Sequence, residues 1–326
     1  MTQTAAPLAP RPGEALVRVK KVGICGTDLH AFRGRQPFFT YPRILGHELG
    51  VEVLALGEGD AGGIAVGDRC AVEPYLNCGN CIACRKGKTN CCVSLKALGV
   101  HTDGGMREII CVPISKLYRS ETLSFEQLAL VETLGIGAHA VERAKIEAGE
   151  QALVIGAGPI GLGVMQFARA AGARVVALDM NAHRLEFCKK EIGVETTILL
   201  GDGALDEIRE ATGGDLPTVV FDATGNLGSM ESAFGYVANG GRLVLVGLVL
   251  DKLTFNDPDF HRKEMSLLAT RNSTGADFKR ILGLLESGKV DTAPWVTHRA
   301  DCETMIETFP GWLDPANGVI KAVVSF

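Results

Sequence analysis

Apolar and polar residues alternate with period two from Glu14 to Val22 (EALVRVKKV) and again around Val51 to Leu56. That is the pattern of strands with one buried face. Glycines at 57, 59, 62, 63 and 67 then punctuate turns, so the first third reads as β-rich. Near residue 125 the pattern changes. Phe125–Val131 and Gly135–Lys145 read as helical, and strands then alternate with helices. Gln151–Ile155, Arg174–Asp179, Val219–Ala223 and Arg242–Val246 are expected as buried strands, with Gly161–Ala171 and Ala182–Glu191 as helices. This alternation predicts an α/β architecture with a doubly wound parallel sheet and helices on both faces. The tail carries a helix, Asp277–Ser287, and a last strand, Ile320–Phe326.

At 326 residues the chain is long for one core, which makes two domains the expectation. A net charge of −5 with interspersed signs gives no field that would hold nucleic acid or an anionic membrane. The start, MTQTAAPLAPRPGE, lacks an apolar h-region and reads as a loosely held leader, not as a signal peptide. No segment approaches the roughly 20 uninterrupted apolar residues a membrane helix needs. Ten cysteines, several of them grouped as metal ligands, point to a reducing compartment and a cytoplasmic enzyme.

Four of those cysteines, Cys78, Cys81, Cys84 and Cys92, follow the spacing C-x2-C-x2-C-x7-C. Thiolates that close can converge on one tetrahedral cation, which suits Zn²⁺ with four sulfur ligands and no open position. Cys91 is left as an unassigned thiol. Upstream, GICGTDLH (23–30) and GHE (46–48) offer Cys25, His47 and Glu48 as ligands for a second metal. Mixed sulfur, imidazole and carboxylate ligation with fewer than four fixed protein ligands is the pattern of a catalytic zinc. Two zinc ions per chain are therefore expected.

VIGAGPIG places Gly156, Gly158 and Gly161, with Pro159 and Ile160 between, as G-x-G-x-x-G after an apolar strand and at the head of a helix. The first glycine permits the tight turn, the second lets the backbone approach a pyrophosphate, and the third lets the helix pack close to the strand. The helix N-terminus offers unpaired N–H groups to the phosphates. The next strand ends in Asp179, where an acid can accept hydrogen bonds from ribose hydroxyls and repel a 2′-phosphate. NAD is thus expected in preference to NADP. Arg184 reads either as a solvated helix charge or as a lid over the adenine.

GICGTDLH, GHE, the four-cysteine loop, VETLGIGAHA and VIGAGPIG, in this order, resemble the zinc-dependent medium-chain dehydrogenases, which include alcohol, sorbitol and threonine dehydrogenases. The resemblance covers the chain from about residue 13 onward. It implies a GroES-like catalytic domain built from both chain ends (1–132, completed by 269–326), a Rossmann NAD-binding domain between them (133–268), and the active site in the cleft. It makes Cys25 and His47 zinc ligands, with either Glu48 or Glu132 as the resting acid ligand. Glu132 falls where polyol and threonine dehydrogenases carry an acid, although Thr133 follows it where proline is usual. Asp28 would accept the His47 ring N–H and fix its tautomer. Thr27 would receive the substrate hydroxyl proton and His30 pass it towards solvent. Thr224 and the turn Val246, Gly247, Leu248 fall where the family contacts the cofactor. The family usually opens with a β-hairpin some 20 residues ahead of the PGE-type turn, and here only MTQTAAPLAPR precedes it, so either the start is misplaced or edge strands are missing.

Within the family, LGVHTDGG (98–105), the stretch 270–290 and the ending VIKAVVSF look most like bacterial sugar-acid dehydrogenases of the L-galactonate or L-gulonate 5-dehydrogenase kind. The resemblance implies reversible NAD-linked oxidation of a secondary hydroxyl on a polyol or sugar acid, with sorbitol-like polyol or L-threonine oxidation as alternatives. Arg271 could pair with a substrate carboxylate or touch the cofactor, and Phe38, Phe39 and Tyr41 could wall the pocket or fill a core. A homodimer or homotetramer is expected. A quinone or enoyl reductase of this fold would lack the metal ligands. A non-enzymatic NAD-sensing zinc protein would have no use for an open ligand set.

Overall fold

The computed structural model describes residues 9–34 and 39–326. Most of the leader and Phe38 lie outside the described residues, and so do the expectations for them. The chain divides into two compact units, Met1–Thr133 with Ser273–Phe326, and Leu134–Asn272.

The first unit is built on a seven-stranded sheet. Its path runs Val296–Asp301, Lys321–Ser325, Glu14–Ile24, Glu48–Leu56, Arg69–Val72 and Leu117–Arg119, with Ile109–Pro113 paired to Glu14–Ile24 off the path. The alternation in the sequence explains the packing. Ala15, Val17, Val19 and Val22 face inward from one strand and Leu49, Val51 and Val53 from the next, and all are fully buried or nearly so. The register between these strands slips at Leu16/Val17 and Val19/Lys21. Such bulges re-aim the side chains beyond them. Past the second slip, Gly23 stands opposite both Glu48 and Val323. The last strand, Lys321–Ser325, is thereby laid against the end of the first one, Lys21 pairing with Ser325 and Ile24 with Ala322.

In the second unit all six strands are parallel, in the order Thr196–Leu199, Arg174–Asp179, Gln151–Ile155, Val219–Asp222, Arg242–Leu245, Ser266–Ala269. Counted along the chain this is 3-2-1-4-5-6, the doubly wound dinucleotide-binding order. The order reverses between Gln151–Ile155 and Val219–Asp222. Their apolar runs are buried on both faces, as a covered parallel sheet requires.

Several elements differ from the sequence expectation for identifiable reasons. Phe125–Val131 and Gly135–Lys145 form one helix, Phe125–Ala144, with Gly135 and Gly137 inside it. Gly137 is where the helix Pro159–Ala170 crosses closely, since a Cβ there would come within 2.6 Å of the Gly163 carbonyl carbon. Ala182–Glu191 is α-helical only to Phe187; the wider turn Cys188–Ile192 follows and Gly193, at φ 70°, ends it in the left-handed region. Ser266–Ala269 was not expected as a strand. It has four residues and is mostly exposed at the sheet edge, so no alternation or buried run marks it.

Candidate active site and zinc centres

Cys25 directly follows the strand Glu14–Ile24 and begins the short helix Gly26–Phe32. His47 and Glu48 open the neighbouring strand. The ligand atoms of Cys25, His47 and Glu48 all lie within 4.8 Å of one another. Glu48 is fully buried and His47 7% exposed. Two buried polar atoms here, His47 Nδ1 and Glu48 Oε2, have no hydrogen-bond partner among the described residues. Unpaired buried polar atoms cost about 1–3 kcal/mol each, so a cluster that carries them is shaped for something else. Gly23 makes the room: a Cβ on it would overlap Glu48 Oε2. Sulfur, imidazole and carboxylate in this cradle fit a zinc ion with an open position.

Asp28 sits at the third position of the short helix, fully buried. Its carboxylate accepts the Cys25 N–H at 3.0 Å and the Gly46 N–H at 3.3 Å. His47 Nδ1 is 3.8 Å from Asp28 Oδ1, beyond hydrogen-bond length. The direct bond expected from the sequence is thus replaced by bonds to the backbone beside the two ligands. Burial raises the Asp28 carboxyl above its ordinary pKa despite the opposing pull of His47. For His47, burial disfavours the imidazolium, but Asp28 and Cys25 outweigh it and hold the pKa well above the usual value. The pocket therefore favours a cation.

Glu132 lies on the helix Phe125–Ala144, 6% exposed, and stands outside the close three-ligand group. Its Oε1 accepts a short hydrogen bond from the Tyr75 hydroxyl. Burial and then the Glu132 charge push Tyr75 well above the ordinary tyrosine value, so the hydroxyl stays a neutral donor. Thr27 is half-buried and His30 exposed on the helix Gly26–Phe32, three residues apart and so on one face. Phe39 is at the edge of burial and stacks on the exposed Tyr41 with centroids 6.1 Å apart, while the Tyr41 hydroxyl donates to the Ala31 carbonyl.

Lys321 was missed by sequence reasoning. Only 2% exposed, it donates to Glu48 Oε1 at 2.6 Å and to the Ile24 carbonyl at 3.2 Å. Burial opposes its charge, yet Glu48 and Cys25 overcome that and raise its pKa. The one available signal was a lysine inside the otherwise apolar run VIKAVV, since lysine is almost never fully buried unpaired.

The ligand atoms of Cys78, Cys81, Cys84 and Cys92 also lie within 4.8 Å of one another, and none is in a disulfide. Backbone N–H groups already point at sulfur: Cys78 N–H at Cys92 Sγ, 3.3 Å, and Cys84 N–H at Cys81 Sγ, 3.5 Å. Backbone hydrogen bonds from Asn80 and Cys81 lower the Cys78 thiol to about 6. A site that stabilises thiolate in this way fits a closed, four-sulfur zinc. Cys91 is exposed and outside the group.

In the other unit the glycine turn lies at the switch point of the sheet. Gly156 has φ 97° and Gly161 approaches the Gly156 carbonyl so closely that any side chain would overlap it. Pro159 and Ile160 open the helix behind Gly158. Asp179 accepts the Ala157 N–H at 2.6 Å and the Asn181 N–H at 2.7 Å, so its carboxylate is fixed beside the turn. Arg184 reaches over Gly158, its Nη1 4.0 Å from where a Cβ would stand. Across the switch point, Asp222, missed from sequence, is fully buried at its strand end. It accepts from Thr224 Oγ1 at 2.6 Å and Ser229 Oγ at 2.6 Å. Its carbonyl accepts the N–H groups of Val246 and Gly247. Leu248 is exposed, and Arg271 is exposed in the segment after the last strand of this unit.

Residues 11–122 match the alcohol dehydrogenase GroES-like domain and 159–287 the zinc-binding dehydrogenase domain. The chain belongs to the zinc-type medium-chain dehydrogenase family and is an oxidoreductase. It is 42% identical to the L-galactonate-5-dehydrogenase of Escherichia coli K12 over 97% of this chain and 94% of that protein. Among solved structures it is similar to RspB of E. coli CFT073, described as a short-chain alcohol dehydrogenase in complex with NADH. The TM-score is 0.91 at 30% identity, over 98% of this chain and 93% of that one. It is also similar to a zinc-binding dehydrogenase of Sinorhizobium meliloti 1021 bound to NADP, with a TM-score of 0.90 at 28% identity, over 99% and 94%. No helix among the described residues is long and apolar enough to cross a membrane.

Proposed function

We propose that this chain is a zinc-dependent, NAD-linked dehydrogenase that reversibly oxidises a secondary hydroxyl of a polyhydroxylated small molecule, a sugar acid of the L-galactonate or L-gulonate type. The observation that carries the reading is the cluster of Cys25, His47 and Glu48 with its two unpartnered buried atoms. It stands in a chain 42% identical to an L-galactonate-5-dehydrogenase. Cys25, His47 and Glu48 hold the catalytic zinc, with Glu132 as an adjoining buried acid; Cys78, Cys81, Cys84 and Cys92 hold a structural one. When bound, the catalytic zinc supplies a Lewis acid for the substrate hydroxyl and NAD supplies the hydride acceptor.

The chain's own groups bind, orient and move the proton. Thr27 receives the hydroxyl proton and His30 hands it on to solvent, so that loss of a proton and a hydride turns the carbinol into a ketone. Gly156, Gly158 and Gly161 admit the cofactor pyrophosphate, while Asp179 faces the adenosine ribose and disfavours a 2′-phosphate. Arg184, Thr224 and the turn Val246–Leu248 complete the cofactor surface. The free thiols suit a cytoplasmic enzyme, and we expect it to work as a homo-oligomer.

The test is kcat/KM for L-galactonate, L-gulonate, sorbitol, L-threonine and ethanol with NAD. The sugar acids should lead by an order of magnitude or more. Sorbitol in the lead would move the assignment to neutral polyols, and threonine or ethanol would overturn the sugar-acid reading.

A further inference from the structure

Glu48 has two carboxylate oxygens in opposite circumstances. Oε1 accepts from Lys321 Nζ at 2.6 Å, and Oε2, over Gly23, has no partner among the described residues. The same ammonium donates to the carbonyl of Ile24, the residue before Cys25. One buried cation thus ties the strand that ends at Cys25 to the strand that begins at Glu48. It reaches them from the last strand of the chain, 273 positions from Glu48.

An isolated carboxylate beside a metal can rotate, offer either oxygen or chelate through both. With Oε1 committed to Lys321, a single oxygen, Oε2, is left uncommitted among the described residues, and its direction is set by a side chain held at its other oxygen.

We propose that Lys321 is a positioning residue for the catalytic zinc: by occupying Glu48 Oε1 it presents Oε2 alone to the metal and tethers the Cys25 strand end at the same time. The proposal rests on the zinc reading given above and adds a residue to it. Groups that orient metal ligands from behind typically change metal affinity by about 10–100-fold when removed.

The test uses the full-length chain with cobalt exchanged into the Cys25 site and zinc kept in the four-cysteine site. Lys321→Met, of similar length without donor or charge, should lose cobalt to a chelator about 10–100-fold faster than wild type and shift the visible cobalt bands. Lys321→Arg, which keeps donor and charge, should restore most of the retention. In a Glu48→Gln background the Lys321→Met change should have little further effect. Should Lys321→Met not fold, Lys321→Leu, also without donor or charge, makes the same comparison. Wild-type retention and an unchanged spectrum in the folded variant would overturn the proposal, as would an equal loss in the Glu48→Gln background. A wild-type chain that takes up no cobalt at Cys25 would overturn the zinc reading, and this proposal with it.

Discussion

Asp28 Oδ1 and His47 Nδ1 stand 3.8 Å apart, close enough to attract and too far to share a hydrogen. Asp28 instead accepts the backbone N–H of Cys25 and of Gly46, the latter adjoining His47. A single buried carboxylate thereby sets the spacing of two ligand-bearing segments. Asp28→Ala would leave two buried N–H groups unpaired, at about 1–3 kcal/mol each. Asp28→Asn keeps one acceptor and should cost less. Urea unfolding of the zinc-loaded protein measures both, and the Ala variant should also bind the catalytic metal more weakly.

Gly23→Ala is expected to be the most selective lesion. The backbone there tolerates any residue, and φ is not in the left-handed region. The added methyl, however, overlaps Glu48 Oε2. Zinc analysis should fall from two ions per chain to one while the far-ultraviolet circular dichroism stays native.

The two metal sites should separate by mutation. Cys25→Ser should abolish turnover in a folded protein that keeps the four-cysteine zinc. Cys81→Ser should instead lose solubility or stability, because a closed structural site contributes folding energy. A loss of about 3 kcal/mol would lower Tm by roughly 4 °C in a chain of this size. Thermal melts with and without added zinc distinguish the two.

Cofactor choice should turn on Asp179. Asp179→Ser removes the charge that opposes a 2′-phosphate and also frees the Ala157 N–H that the carboxylate now holds. kcat/KM with NAD should fall by tenfold or more while that with NADP rises, as would be read in parallel cofactor titrations. A wild-type preference for NADP would contradict the reading of this strand end.

Glu150 carries a prediction in pH. Its carboxylate pairs with Arg242 Nη2 at 2.6 Å, and that hydrogen bond, against a smaller effect of burial, lowers its pKa from 4.5 to about 2. A carboxyl that is more acidic when folded stabilises the fold above its unfolded pKa. Its contribution should be complete above about pH 4.5 and decline as the pH falls towards 2. The pair is partly exposed, so Glu150→Gln should cost only about 1 kcal/mol at pH 7. The gap between variant and wild type should narrow below pH 4.5, and denaturant unfolding across that range measures it.

Local features of this molecule were legible in the chain itself. The four cysteines announce their site because ligands within a short loop must lie near one another, and the glycine turn because strand, turn and helix follow in sequence. The strands Gln151–Ile155 and Arg174–Asp179 run with the bounds their apolar residues mark. Lys321 was hard to read for the opposite reason: its partners are Ile24 and Glu48, far away in the chain, and the apolar run around it hints at burial without naming them. Gly23 opens the GICGTDLH motif with no role of its own until the register slip sets it opposite Glu48. Tyr75 and Asp222 likewise acquire meaning only from what the tertiary fold brings to them.

The pairing of Lys21 with Ser325 also bears on how the enzyme is made. All six strands of the Leu134–Asn272 unit lie in one continuous stretch and can assemble during synthesis. The sheet around Cys25 cannot. Its first strand leaves the ribosome early and must wait for nearly the whole chain before Lys321–Ser325 arrives beside it. A polypeptide cut short by even its final strand would carry every cysteine and histidine named above and still lack the buried cation behind Glu48. The surroundings of Cys25 and Glu48 therefore stay incomplete until the strand Lys321–Ser325 has been made.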